Sequence, residues 1–311
     1  MTKIVKKILS SLLTILVVSC LVFWAFNIIP GDPAVAKLGT QSTPEKLEAL
    51  RTSMGLNRPL AERFSEWVCG ALRGDFGTSY SYSMKVKDLI ADKLPLTIIL
   101  TLYSFIIMVV ISVSLSVYVA WHEGSILDRF MQIVNQIIMS VPPFFSGIVI
   151  TLIFGMGLKL FAPGGFVSYD VNLGKFLGFM FFPSLAIALP KAAMGYDLLY
   201  TSLIAEGKKD YARTAYSRGN SSKDVFEKHL LKNASIPYIT FMGMALADMI
   251  ASSIIIEQVF GIPGLGRILL TSIQNRDYPV VEAIIVCIAV MVIVSNLLVD
   301  ILYKIIDPRT R

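Results

Sequence analysis

Charge is scarce in this chain. Asp, Glu, Lys and Arg make up 16% of its 311 residues, against roughly a quarter in soluble domains, and the mean hydropathy is +0.67. Water is therefore excluded as the main solvent. Histidine is scarcer still, since His122 and His229 are the only two, and this leaves little material for zinc chemistry or a Ser-His-Asp triad. The three cysteines, Cys20, Cys69 and Cys287, lack the spacing of a metal site. No metal site and no catalytic residue is expected. There is no Gly-x-x-x-x-Gly-Lys-Ser/Thr phosphate loop, so the chain is not expected to hydrolyse nucleotide by itself. Internal repeats, low-complexity stretches and flexible linkers are missing too.

What is present is apolar sequence in long runs. A hydrocarbon core of about 30 Å takes about 20 apolar residues as helix. Ile8–Ile29, Leu94–Trp121, Phe130–Leu158 and Ala283–Val299 contain no charged residue at all. Phe176–Leu203 is interrupted by Lys191 and Asp197, and Asn233–Ile256 by Asp248 alone. The reading is an all-α integral membrane protein with six transmembrane helices and a long extracytoplasmic loop after the first. Residues 1–29 form the amino terminus and first span, 30–93 the outer loop, 94–304 the core and 305–311 the tail. The later spans are expected at about 94–121, 130–158, 176–203, 233–257 and 281–303. Lys3, Lys6 and Lys7 before Val18-Ser19-Cys20 could suggest a lipoprotein leader, but Leu21 to Phe26 continue the apolar run where a mature lipoprotein turns polar.

Basic residues in short loops stay in the cytoplasm. Loop 204–232 carries seven Lys or Arg against four acids, which places it, with both termini, inside. In the outer segment, Thr43-Pro44-Glu45-Lys46 starts one helix with Thr43 as cap, and Leu60–Leu72 forms a second. The segment is expected to be a lid or docking surface packed on the spans. Ala162–Phe166 and Phe260–Gly266 are rich in Gly and Pro, and read as turns between spans.

The 204–232 loop looks folded rather than slack. Asp210–Ala215 reads as an extension of the fourth span's helix, stopped by Gly219-Asn220. Ser221, with Asp224 three residues on, resembles a capping box opening a new short helix. There Val225, Phe226, His229 and Leu230 share one face, while Lys223, Asp224, Glu227 and Lys228 lie elsewhere. Such a stripe packs on the protein's own helix ends or in lipid headgroups, or it fills a groove on a partner. Pattern alone leaves the alternatives open.

Thr214-Ala215 followed by Gly219 resembles the "EAA" loop of binding-protein-dependent ABC permeases, in the form used by the dipeptide, oligopeptide and nickel branch. The likeness includes Ile29-Pro30-Gly31-Asp32-Pro33-Ala34, Gly55–Leu60, Gly74–Ser79 before Leu94-Pro95-Leu96-Thr97, and Asp128-Arg129. It continues through Ser140–Phe144, Pro163-Gly164-Gly165, Glu257–Phe260, Pro263–Gly266, Arg276–Val280 and Asp307-Pro308-Arg309, covering nearly the whole chain. This resemblance implies the type I ABC importer permease fold, a B-type subunit, and alternating access for peptides, with nickel or a metal chelate as the alternative cargo. It implies as partners a second homologous permease, two ABC ATPases that use ATP and Mg, an extracytoplasmic substrate-binding protein and the lipid bilayer. No cofactor is bound by this chain and no nucleic acid is involved. Carried over by position, the loop contact comprises Asp210, Ala212, Arg213, Thr214, Ala215, Gly219, Asn220, Ser221, Asp224, Val225, Phe226, His229 and Leu230.

The chain departs from the family pattern at Asp197 and Tyr200, where arginines are common, and at Asp248, where an apolar residue is typical. An ionisable group inside a span usually faces protein or water, so Lys191, Asp197 and Asp248 are the candidates for the translocation path. The alternatives are a local structural pair or snorkelling. Asp300, Glu257 and Asp277 read as packing or cap residues near span ends. A reading of another class, an ion-coupled secondary transporter, would make Lys191, Asp197 and Asp248 its relay, although such folds often carry repeats.

Overall fold

The computed structural model describes residues 2–28, 31–39 and 43–306, and each long apolar run in it is helical. The helices are α1 (Thr2–Ile28), α2 (Pro33–Leu38), α3 (Pro44–Ser53), α4 (Leu60–Leu72), α5 (Val86–Trp121), α6 (Ile126–Met139), α7 (Pro143–Gly157), α8 (Leu173–Gly207), α9 (Asp210–Ser217), α10 (Ser222–Phe260), α11 (Leu265–Gln274) and α12 (Tyr278–Ile306). Among the described residues, five helices are long and apolar enough to cross a membrane, or six if the bent pair α6 and α7 counts as one span. Ile29-Pro30 and the carboxy-terminal Asp307-Pro308-Arg309 lie outside the described residues.

Several expected boundaries move. The run 130–158 is not one straight helix, because α6 and α7 meet at 104°. Pro142 and Pro143 donate no backbone hydrogen bond and disfavour helix in the residue before them, so α6 closes at Ser140 and a new helix starts at Pro143. Helix α5 begins at Val86, eight residues before the apolar run, and keeps Pro95 inside it. Asp210–Ala215 is not an extension of α8 either. Helix α8 ends at Gly207, and α9 starts afresh after an extended Lys209. The new helix expected after Ser221 runs without a break into the fifth span as α10, its Phe226–Leu230 turn being π-helical.

Two compact units divide the chain: residues 1–97 with 263–293, and residues 98–262 with 294–311. In the first, Thr43 caps α3 by accepting from the Lys46 amide. Asp32 caps α2 through the Ala34 amide at 2.8 Å and pairs with Arg51 at 2.6 Å. The unit is tied together by Asp277, which is fully buried. Its carboxylate accepts from Ser79 Oγ at 2.5 Å and from the amides of Tyr80 and Ser81 at 2.9 Å each. Thr97 Oγ1 accepts from the Leu265 amide at 3.0 Å. The segment 30–93 thus folds together with 263–293, and the stretch after Phe260, expected to be only a turn, contains α11. Arg276 passes so close to Gly31 that a Cβ there would lie 2.0 Å from the guanidinium carbon.

The second unit is held by close helix approaches at small residues, as in membrane helix packing generally. A Cβ on Gly195 of α8 would lie 3.1 Å from Tyr238 and Phe241 of α10 and 3.2 Å from Ser112 of α5. Ser112 Oγ and the Tyr238 hydroxyl share a 2.6 Å hydrogen bond, and Ser116 Oγ donates to the Tyr196 carbonyl at 3.1 Å. Phe161 stacks on Phe182 and Phe260, with ring centroids at 4.5 and 5.8 Å.

Replacing Asp277 by Ala would orphan three donors around a fully buried position, at about 1–3 kcal/mol for each one left unsatisfied. The expected outcome is a chain that unfolds several degrees lower in detergent micelles when followed by tryptophan fluorescence. Asp88→Ala, at an exposed position, should shift the same midpoint little.

Candidate functional site

The 204–232 loop is a folded hook on the second unit. Helix α9 is closed by the Asn220 side chain, which donates to the Ala215 carbonyl at 3.0 Å. Gly219 makes the bend at φ +80°, a conformation side chains resist. Ser221 then starts α10, its Oγ accepting from the Asp224 amide at 3.1 Å and donating to Asp224 Oδ2 at 2.5 Å. Lys228 pairs with Asp224 one turn along. This is the expected capping arrangement, in its acidic form.

The apolar stripe faces inward. Val225, Phe226 and Leu230 are buried, as are Ala212 and Ala215 of α9. Phe226 meets Trp121 at the end of α5 edge-on, with centroids 5.1 Å apart. A cavity of about 420 Å³ beside them is lined by Leu203, Gly207, Tyr216 and Leu230 among others. His229, expected on the same stripe, is exposed. The π-helical turn closes Leu231 N–H on the Phe226 carbonyl, so each residue turns less than in an α-helix, and His229 is carried off the buried face. Burial and the bond to Glu206 Oε2, at 2.6 Å, push the Tyr211 hydroxyl above its ordinary range, and the neutral phenol pins α9 to the end of α8. What remains exposed is polar: Asp210, Arg213, Thr214, Gly219, Asn220 and Ser221, with Arg218, Lys223 and Lys228 adding positive charge. The hook is therefore anchored by its apolar side and presents a polar, mostly basic side outward.

Within the spans, Lys191 of α8 and Asp248 of α10 form an ion pair at 2.6 Å. The Lys191 side chain is 15% exposed and that of Asp248 66%. Asp248 lies on an α10 face that this chain leaves uncovered, together with Thr240, Met244, Ala251 and Ile255. Asp197 is not part of that pair. It lines a separate groove of about 420 Å³ between α6 and α8, with Arg129, Gln132, Gln136, Tyr200 and Thr201. Nearby, the buried Asp128 accepts from the Gly124 amide at 2.9 Å and from Gln132 Nε2 at 2.8 Å. Gln132 also donates to the Tyr200 hydroxyl at 3.2 Å. The path candidates thus fall into two places, not one. Gln132 and Gln136 escaped the sequence reading because the run 130–158 holds no charge, and Arg129 was noted only as part of the family resemblance. Their signal was the spacing of three and four residues, which puts all three on one side of a helix.

Comparison with known proteins follows these features closely. The family model described as "Binding-protein-dependent transport system inner membrane component" matches residues 112–311, and a companion model for the N-terminal part of such components matches residues 1–101. A protein of Sinorhizobium fredii described as a probable peptide ABC transporter permease is 32% identical over 308 residues, 99% of this chain and 98% of its own length. The glutathione transport system permease of Escherichia coli shows the same identity and coverage. With both family models and full-length relatives in agreement, this chain belongs to the binding-protein-dependent ABC transporter permeases: it is a multi-pass inner-membrane subunit of such a transporter and not itself an enzyme.

Proposed function

We propose that this permease carries peptides inward across the bacterial cell membrane by alternating access. The observation that carries this reading is its 32% identity, over nearly the full chain, with permeases named for peptide and for glutathione, itself a peptide. In the proposed assembly a second, related permease stands beside this one, two ATPases that use ATP and Mg lie beneath, and an extracytoplasmic binding protein delivers cargo. The chain crosses the membrane six times, with α6 and α7 together as one bent span, both termini in the cytoplasm and residues 30–93 outside. The uncovered face of α10 is where a second permease and the passage between the two would lie. An ion pair open to that face is costly against lipid, whereas a water-filled passage would solvate it.

In this reading the 204–232 hook docks on an ATPase. The anchored apolar side makes Gly219 to Leu230 a stiff handle, and the polar outer side supplies the contact. ATP-driven closure of the ATPases moves the handle and, with it, α10. A cysteine at Ser222, an exposed position, should cross-link to the ATPase in the assembled transporter. Phe226→Asp puts a charge where a ring now packs on Trp121, and the unpaired charge costs several kcal/mol on burial. Peptide-stimulated ATP hydrolysis of the reconstituted complex should fall by about tenfold or more, consistent with loss of the packed handle. Lys175→Ala, at an exposed position outside the hook, should fall within about twofold of the parent, as is usual for surface substitutions. Stimulation that survives Phe226→Asp in full would remove the hook from the mechanism.

Asp248→Asn leaves the Lys191 ammonium, largely buried, without its counter-charge. Uptake of a dipeptide into proteoliposomes should slow several-fold while the complex still purifies intact. The double change Lys191→Met and Asp248→Asn should restore thermal stability without restoring uptake, because it removes both the buried charge and the polar contact. Unchanged uptake kinetics in Asp248→Asn would take the pair out of the passage.

A further inference from the structure

The unit formed by residues 1–97 and 263–293 holds a cavity that transport, as read above, does not use. Its volume is about 270 Å³, and its aromatic walls are Phe23, Trp67, Phe76, Tyr80 and Tyr278. The space exceeds several-fold the about 30 Å³ that one water takes up in the liquid, so it admits a small organic molecule such as leucine.

The Glu282 carboxyl and the Arg63 guanidinium both face this space, Arg63 acting on Glu282 through its charge and without a direct ion pair between them. Glu282, in the first turns of α12, is 5% exposed, and among the described residues no hydrogen bond or ion pair reaches its carboxylate. A buried carboxylate without a partner is costly, and one on a cavity wall is satisfied by a cationic donor that enters. Arg63 of α4 lines the same cavity. One of its nitrogens donates to Asn27 Oδ1 at 3.1 Å, and its guanidinium carbon lies 5.8 Å from the Phe23 ring centroid. A guanidinium has five N–H donors, so most remain to be used. Trp67 Nε1 is buried with no acceptor among the described residues. Of the other charges on the wall, Arg58 holds Glu66 through two bonds of 2.5 and 2.7 Å, and the Asp75 carboxylate accepts from the Gly77 amide at 3.0 Å. Burial pushes the Tyr80 hydroxyl up to about 12, so it stays a neutral donor.

We infer that this cavity is a binding site for a small α-amino acid, its ammonium on Glu282 among the aromatic rings and its carboxylate on Arg63 and the Trp67 indole N–H. Aromatic faces attract an ammonium, and both ends of such a zwitterion gain charge-assisted hydrogen bonds. The free end groups are what the site reads, and its size sets the side chain. The inference does not rest on the peptide reading or on the 204–232 hook, and either can fail without the other.

The test is isothermal titration of the assembled transporter, in nanodiscs, with L-leucine, N-acetyl-L-leucine and L-leucinamide. Leucine should bind, and masking either end should weaken binding by at least about tenfold, as expected when one hydrogen bond to a charged group is lost. Glu282→Gln and Arg63→Met should each weaken leucine binding by a similar factor, whereas Asp88→Ala, at an exposed position outside the cavity, should leave it unchanged. Should a variant fail to assemble, the three ligands on the unaltered protein decide the matter. No heat with leucine, equal binding of the three compounds, or binding untouched by Glu282→Gln would each overturn the site. Leucinamide binding as well as leucine would reduce it to an amine site and overturn the zwitterion.

Discussion

A polar group inside hydrocarbon has to find its partner within the protein, because no water is there to supply one. Much of the second unit follows from that constraint. Ser104, Ser112 and Ser116 of α5 return their hydroxyl protons to carbonyls one turn back, at 2.7, 2.7 and 2.6 Å. Ser112 then meets the Tyr238 hydroxyl and Ser116 the Tyr196 carbonyl, so the groups that satisfy themselves also tie α5 to α10 and α8. These ties need close backbones, which explains why Gly195 sits where it does. The same constraint turns Lys191 and Asp248, each too costly alone, into a pair.

Much of the helix content was legible in the sequence, and the reasons are local. Thr43 and Ser221 cap helices because a hydroxyl at that position reaches the amide three residues on, and Leu60–Leu72 was placed correctly from its pattern. The errors came where a neighbour in space overrides the pattern. The run 130–158 was expected as one span, and at Pro142-Pro143 the structure bends it by 104°. Periodicity in the loop placed His229 on the buried stripe because it assumes α-helical winding, which the Phe226–Leu230 turn does not have.

Carboxylates show most clearly what sequence cannot settle. Asp277 reads as a packing or cap residue, and it is one, but its partner Ser79 lies 198 positions away. Asp248 finds its lysine 57 positions away. Asp197, grouped with those two by its place in an apolar run, belongs instead to the polar groove of α6 and α8. In each case the partner lies on another helix, and no spacing rule along one chain reaches that far. The first unit was missed for the same reason: nothing in residues 30–93 alone reveals that they fold around 263–293.

The continuity of α10 constrains how the proposed coupling could work. Ser222 at the hook and Asp248 in the span belong to one helix, about 26 residues and hence about 39 Å apart at 1.5 Å per residue. A straight rod would carry any push at one end to the other undiminished. This helix is not a straight rod, because the π-helical turn at Phe226–Leu230 and Pro237 both interrupt its regular hydrogen bonding. Pro237 cannot donate to the Asn233 carbonyl, and such a freed carbonyl is where membrane helices bend. Motion of the hook would therefore reach Asp248 as a change of tilt at Pro237 as well as a shift along the axis. Tilting about Pro237 would move Asp248 sideways against Lys191 of α8, so the ion pair is where movement of the hook would be felt in the passage.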